Sequence, residues 1–278
     1  MRILVTNDDG IDAIGLHVLA RRLVAVDGVE VVVAAPDREY SGASAAVGTL
    51  HLIRPEVRRA TIAGVPDAWS VTGPPALCVM FSRLGVFGGP FGLVVAGINP
   101  GANAGRAIYH SGTVGAALTA RNGGVTGIAI SQAVADMGVE GQGWDEMLTG
   151  QQWDTAAEVG ARIVAAVIAE LPERAVVLNV NVPNVAMDAI RGWRRAEIAA
   201  LPPRAMASAT LVPMAGHEDA FEVQMNWGDP ITLPPETDSG GVEAGYVVVS
   251  ALSRIVDDAA IDLGAVARAL GEPVTGSD

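Results

Sequence analysis

Two adjacent carboxylates follow the first apolar run of the chain, in the stretch MRILVTNDDG. Asp8 and Asp9 carry like charges, and like charges held together at a strand end repel unless something neutralises them. A divalent cation would do so, and such a site could perform metal-assisted acid–base chemistry. A solvated turn would also do so, because Asn, Asp and Gly are common turn residues. The sequence further along the chain has to discriminate between the two.

Three later segments offer more oxygen donors or free backbone N–H groups. APDREYSGAS carries Ser41 and Ser44, AGINPGANAG carries Asn99 and Asn103, and YHSGTVGAA carries Ser111, Gly112 and Thr113. Carboxylate, hydroxyl and amide oxygens form a hard donor set that suits Mg²⁺ or Mn²⁺ better than Zn²⁺. A Ser-Gly-Thr segment at a helix start suits a phosphate group, although ordinary N-capping is the alternative.

The elements that must position these residues alternate between strands and helices. Apolar runs predict strands at 2–6, 29–35, 91–98, 127–131, 176–182 and 245–252, and helical periodicity predicts helices at 13–24, 75–84, 113–122, 154–171 and 261–270. Continuous apolar strands bounded by Gly and Pro favour a mostly parallel sheet covered on both faces. Loops at the carboxyl ends of such strands gather in one crevice. We therefore expect the polar segments to meet there.

The periodicity fails between residues 183 and 239, where Pro-Pro pairs bracket a mixed segment. We expect either an extended arm that pairs with another subunit or a disordered surface loop. The predicted organisation is a catalytic core at 1–182, the arm at 183–239, and a strand and helix at 240–278 that complete the core or pack on a partner subunit. Residues 136–152 are predicted to form an exposed loop.

Composition excludes several classes of function. The formal charge of −13 argues against binding to a nucleic-acid polymer, which needs clustered cations. All 18 basic residues are Arg, so Schiff-base chemistry, a pyridoxal-phosphate anchor and a Walker lysine are excluded. The dinucleotide fingerprint GxGxxG is absent after the first strand.

The remaining signals describe the compartment and the isolated polar residues. Apolar runs are too short for a membrane span and no secretory signal is visible, so we expect a cytoplasmic protein. Cys78, the only cysteine, is predicted to be a small buried hydrophobe. His17, His51 and His217 are predicted to have structural roles. His110, beside the Ser-Gly-Thr segment, is a candidate for orienting substrate or donating a proton.

Taken together, these motifs resemble the SurE family of survival-protein nucleotidases. NDDGIDAIGLHVLARRL is similar to its N-terminal signature, APDREYSGAS to its serine loop, and AGINPGANAG with YHSGTVGAA to its central block. LNVNVP at 178–183 and TDSGGVEAGYVVVSAL at 237–252 are similar to its later segments. The resemblance runs in the family's order from residue 1 to about residue 252.

The resemblance implies a Rossmann-like three-layer core, an arm used in homodimers or homotetramers, and hydrolysis of nucleoside 5′- or 3′-monophosphates. It implies one divalent ion per subunit, Mg²⁺ or Mn²⁺, held by Asp8, Asp9, Ser41 and Asn99. It further implies that Asn103, Ser111, Gly112 and Thr113 face the phosphate. Asp8 and Asp9 are the expected catalytic residues, orienting the attacking water or taking its proton.

Some positions depart from the family pattern. The usual Thr-Pro-Ala-Asp-Cys is PPALC here, an acidic residue after SGTV is missing, and His110 is an extra residue. These departures favour one alternative, a nucleotide or metal sensor that has lost turnover. A phosphatase with an aspartyl nucleophile is a second alternative. The usual signature of that class has one residue between its two Asp, whereas Asp8 and Asp9 are adjacent, and this chain has none of the lysine that the class uses.

Overall fold

The computed structural model describes residues 1–48, 50, 52, 54–134, 148–217, 219–258 and 260–270. The strands within these residues are β1 (Arg2–Thr6), β2 (Glu30–Pro36), β3 (Val57–Ala60), β4 (Ala68–Val71), β5 (Leu93–Pro100), β6 (Thr126–Gln132), β7 (Val177–Val182), β8 (Trp193–Arg195), β9 (Met206–Pro213), β10 (Phe221–Trp227) and β11 (Val247–Leu252). The helices there are α1 (Ile14–Val24), α2 (Pro75–Arg83), α3 (Gly112–Asn122), α4 (Trp153–Ala169), α5 (Asp238–Glu243) and α6 (Gly264–Leu270).

The main sheet has nine strands in the order β3-β4-β2-β1-β5-β6-β7-β11-β8. The pairs from β4 through β7 are all parallel, and the antiparallel pairs are β3 with β4 and β7 with β11. From β1 the sheet extends on one side through β2 and on the other side through β5. The switch in direction therefore lies between β1 and β5, and such a point opens a crevice at the carboxyl ends of the strands.

Helices cover both faces of this sheet because its strands alternate apolar side chains between two cores. On one face, Ile3 and Val5 of β1 pack with Leu16 and Leu19 of α1 and with residues of α4. On the other face, Leu4 packs with residues of α2 and α3. The result is the predicted α/β architecture, a mostly parallel sheet between two helical layers.

The six predicted strands and five predicted helices are confirmed, with ends shifted by up to three residues. The sequence analysis did not predict α5 or the strands β3, β4, β8, β9 and β10. β3 and β4 are only four residues long, and β3 carries two adjacent arginines, so neither gives a clear apolar pattern. Most of the loop predicted at 136–152 lies outside the described residues.

The segment predicted as an arm has two parts in the structure. β8 joins the edge of the main sheet beside β11, whereas β9 and β10 form a separate antiparallel hairpin. Every residue of β9 is exposed. No helix among the described residues is long and apolar enough to cross a bilayer.

Candidate functional site

The two carboxylates of NDDG lie at the carboxyl end of β1, beside the switch in strand direction. Asp8 is only 2% exposed, and its Oδ1 accepts a hydrogen bond of 2.5 Å from the Thr113 hydroxyl. Both carboxyl oxygens of Asp9 are buried and have no hydrogen-bond partner among the described residues, and the same holds for Oδ1 of Asn7. Buried polar atoms are nearly always paired in folded proteins, so these orphaned oxygens indicate a missing ligand.

The pKa values of Asp8 and Asp9 also reflect their burial. Burial, the neighbouring charge of Asp8 and that of Glu39 raise the pKa of Asp9 to about 8. Burial also raises the pKa of Asp8, although the hydrogen bond from Thr113 opposes the change. Two buried carboxylates without a cation are costly to ionise together, and a nearby positive charge removes that cost.

The first turn of α3 packs directly on Asp8. A Cβ atom built on Gly112 would lie 2.8 Å from both Cβ and Oδ2 of Asp8, so only glycine fits there. Ser111 caps the helix, because its Oγ accepts the N–H of Val114 at 3.1 Å. The uncompensated N–H groups of this turn and the positive end of the helix dipole therefore lie beside the carboxylates.

Asn99 is the last residue but one of β5, on the other side of the switch point. Its Nδ2 donates to the carbonyl oxygens of Gly101 at 2.7 Å and Pro100 at 3.3 Å. With the nitrogen committed to the backbone, the side-chain oxygen is the atom that remains for a ligand. β1 and β5 are hydrogen-bonded neighbours, so Asn99 and the carboxylates share one edge of the sheet.

The serine loop crosses the same edge. The N–H of Tyr40 donates to the carbonyl oxygen of Asp8 at 2.7 Å, which brings Ser41 to the residue next to this contact. Further along, the N–H of Ser44 donates to the carbonyl oxygen of His110 at 3.1 Å. Backbone hydrogen bonds thus join the serine loop both to the β1 end and to the segment before α3.

Asn103 is more deeply engaged in the fold than the sequence suggests. Its Nδ2 donates to Oγ of Ser131 at 2.9 Å, its backbone N–H donates to Oδ1 of Asn181 at 2.8 Å, and its carbonyl oxygen accepts from Nδ2 of Asn179 at 2.7 Å. These contacts give Asn103 a defined structural role. Its predicted contact with phosphate stays a prediction.

The donor set at this edge fits a small hard cation. Asp8 and Asp9 carry carboxylates with buried oxygens and Asn99 carries a buried amide, whereas Ser41 is exposed and its place among the ligands stays a prediction. The described residues contain no cluster of three or more His, Cys, Asp or Glu arranged for a metal ion. A cation here would therefore need the neutral donors and water to complete its coordination, which is how Mg²⁺ is commonly held.

Comparison with known proteins assigns the chain to a family. The family model described as survival protein SurE matches residues 3–202. The chain belongs to the SurE family.

Individual relatives agree with this assignment. The 5′-nucleotidase SurE of Haemophilus influenzae strain PittGG is 33% identical over 254 residues, covering 90% of each chain. The 5′/3′-nucleotidase SurE of Erwinia tasmaniensis is 34% identical over 256 residues, covering 91% of this chain and 90% of that protein. The crystal structure of the SurE protein from Aquifex aeolicus matches with a TM-score of 0.75 at 26% identity, covering 97% of this chain and 99% of the other.

Several residues that shape this SurE-family site escaped the sequence analysis. Glu39 adds negative charge beside the carboxylate pair, and Asn179 and Asn181 anchor the loop after β5. The two asparagines had a detectable signal, since they stand at alternate positions of an otherwise apolar strand and so share one face. Glu39 had none, because its effect depends on how its loop packs.

The structure also places the cysteine and two of the histidines considered in the sequence analysis. Cys78 is fully buried, which confirms its predicted role as a small hydrophobe and raises the pKa of its thiol to about 12. Nε2 of His17 is hydrogen-bonded to the carbonyl oxygen of Ile11 at 2.8 Å, a structural contact. His110 is exposed, and its role with a substrate stays a prediction.

Proposed function

We propose that this chain hydrolyses nucleoside 5′- or 3′-monophosphates and releases inorganic phosphate, with one Mg²⁺ or Mn²⁺ held by Asp8, Asp9, Ser41 and Asn99. The observation that carries the proposal is the Asp9 carboxylate, which is buried and unpartnered beside a second buried carboxylate. The names of the SurE relatives as nucleotidases support the same reaction.

The residues of the chain have distinct tasks in this reaction. The N–H groups of Gly112 and Thr113 at the start of α3, together with the Ser111 hydroxyl, bind the phosphate oxygens and stabilise the charge that grows on them, because the N–H of Ser111 is already bonded to the carbonyl oxygen of Ala107. Asp8 or Asp9 orients the attacking water and takes its proton. When bound, the divalent ion supplies polarisation of a phosphoryl oxygen and a lower pKa for a coordinated water.

The test is phosphate release from p-nitrophenyl phosphate and from a panel of 5′- and 3′-nucleotides with Mg²⁺, Mn²⁺ or EDTA. We expect activity with a divalent ion and its loss with the chelator. Activity that ignores EDTA would contradict the metal role. Tight nucleotide binding without turnover in every metal would favour the sensor instead, the function suggested by the altered PPALC segment.

We also propose that the protein assembles as a homodimer or homotetramer through the β9–β10 hairpin. Residues at alternate positions of β10 share one face, and the register places those of β9 opposite them. The face is apolar and consists of Phe221, Val223, Met225, Trp227 and Leu211, each 42% to 66% exposed. A two-stranded hairpin is marginally stable alone, so a second copy of the chain is the proposed cover, as the arm of the SurE family implies.

A further inference from the structure

A fully buried carboxylate outside the candidate site joins three distant segments of the chain. Asp238 begins α5 and is 0% exposed. Its Oδ2 accepts the N–H of Gly105 at 2.8 Å, and its Oδ1 accepts the N–H groups of Ala199 at 2.9 Å and Ser239 at 2.8 Å. Each oxygen of this side chain is therefore committed to the backbone.

The contact with Gly105 is tight. Gly105 has a φ of +53°, and a Cβ atom there would lie 3.1 Å from the carbonyl oxygen of Ala199 and 3.4 Å from that of Leu201. Backbone thus packs almost directly on backbone at this point. The Asp238 carboxylate bridges the two segments and sets their separation.

The loop that Asp238 holds leads straight into the candidate phosphate site. Gly105 begins a 3₁₀ turn, Gly105–Tyr109, in which the carbonyl oxygen of Ala107 accepts the N–H groups of His110 at 3.0 Å and Ser111 at 3.1 Å. Ser111 then caps α3. Five residues separate the anchored Gly105 from Ser111, whose neighbour Gly112 packs on Asp8.

We propose that Asp238 is a positioning residue for phosphate binding, acting through Gly105 on the N-terminal turn of α3. This inference rests on the proposed function. Asp238 contacts no substrate in this scheme. It fixes the position of the N–H groups in the N-terminal turn of α3 relative to the Asp8 carboxylate. Misplacement of such groups by about 1 Å is enough to lower the rate on the order of 100-fold.

Asp238→Asn tests the proposal with minimal change in shape. An amide that keeps its oxygen on Ala199 and Ser239 turns its NH₂ group toward the N–H of Gly105, so the substitution breaks the Gly105 contact selectively. Thr237→Ala is the matched control. The Thr237 hydroxyl accepts from Gly240 at 3.2 Å and caps the same helix, but it is not bonded to Gly105.

We expect Asp238→Asn to lower kcat/KM by about 100-fold, through a fall in kcat and a rise of about 10-fold in nucleotide KM. Thr237→Ala should keep kcat within about twofold at a similar loss of melting temperature. Equal losses of kcat in the two variants would overturn the proposal, because they would mean that Asp238 only stabilises the fold.

Two measurements keep this test separate from that of the proposed function. Amide hydrogen exchange of Gly105 should be at least about 10-fold faster in Asp238→Asn and unchanged in Thr237→Ala. Unchanged exchange in Asp238→Asn would overturn the proposal regardless of activity. If the unaltered protein releases no phosphate from any nucleotide, titration with inorganic phosphate decides: binding weakened about 10-fold by Asp238→Asn alone supports the positioning role, and equal binding overturns it.

Discussion

The Asp9 side chain is the most informative single group in the molecule. Both of its carboxyl oxygens are buried without a partner among the described residues, whereas Asp8 beside it receives a hydrogen bond from Thr113. The two carboxylates are thus unequal, since Asp8 is held in place by the fold and Asp9 is left for a ligand. An unsatisfied carboxylate is expensive to bury, and in the proposed function a bound cation offsets that cost.

Replacing Asp9 by Asn should therefore remove activity without removing the fold. We expect Asp9→Asn to lower kcat by about 100-fold or more, the scale lost when a preorganised electrostatic group is deleted. Asp12→Asn removes the same charge from an exposed position three residues away and should leave kcat unchanged. Steady-state phosphate release measures both, and a turnover of Asp9→Asn within threefold of the unaltered protein would contradict the role.

The raised pKa of Asp9 also predicts how stability depends on pH in the absence of metal. The pKa rises from 3.8 in the unfolded chain to about 8 in the fold, so between these values the folded state holds a proton that unfolding releases. The free energy of unfolding should then fall as pH rises from about 4 to about 8. Thermal melts in EDTA should show this trend, and Asp9→Asn should flatten it. If stability depended on pH in the same way in the unaltered protein and in Asp9→Asn, the burial of an unpaired Asp9 carboxylate would be refuted.

Among the elements, α3 brings the separate parts of the site together. Its cap at Ser111, its contact with Asp8 through Gly112 and its contact with the serine loop through Gly115 all lie in the first turn. A Cβ atom on Gly115 would lie 2.0 Å from the carbonyl oxygen of Ser44. The helix can approach both neighbours only because these positions lack side chains.

Because of this packing, we expect a substitution that normally stabilises a helix to destabilise this protein. Gly to Ala inside a helix ordinarily stabilises by about 0.5–1 kcal/mol, but Gly115→Ala should lower the melting temperature and reduce kcat/KM by about 10-fold or more, because the serine loop has to move. Asn122→Ala, at an exposed position of the same helix, is the control. A stabilised and fully active Gly115→Ala protein would show that the loop does not pack on α3.

At the scale of the whole molecule, the hairpin is one part of the described chain whose large apolar side chains stay exposed. Most of its apolar side chains lie on one face, and Glu222, Gln224 and Asn226 lie on the other together with Val212. We propose that the apolar face is an interaction surface, because solvent-exposed apolar patches of this kind are uncommon on monomers.

Val223→Asp places a charge in the centre of the apolar face and should shift the assembly toward monomer. Gln224→Asp adds the same charge one residue away on the polar face and should leave the assembly intact. Size-exclusion chromatography with light scattering at micromolar concentration measures the mass. A mass of 28.5 kDa for the unaltered protein would contradict the proposed assembly.

The sequence alone was sufficient to predict many of the local features of this protein. Apolar runs and helical periods predicted six of the strands and five of the helices, and the polar segments at strand ends predicted the edge at which a site would form. These features depend on neighbouring residues, and the chemistry of a side chain and the period of a strand are readable from short windows. The absence of lysine excluded whole classes of mechanism without reference to any fold.

Only the tertiary structure decided which of those groups are buried, paired or left open. The sequence could not show that Asp9 lacks a partner while Asp8 has one, that Gly112 and Gly115 are points of close approach, or that Asp238 holds a loop that is 133 residues away along the chain. Desolvation and hydrogen-bond satisfaction are set by contacts between distant segments. No local pattern encodes those contacts, so the inequality of the two carboxylates emerges only when the chain has folded.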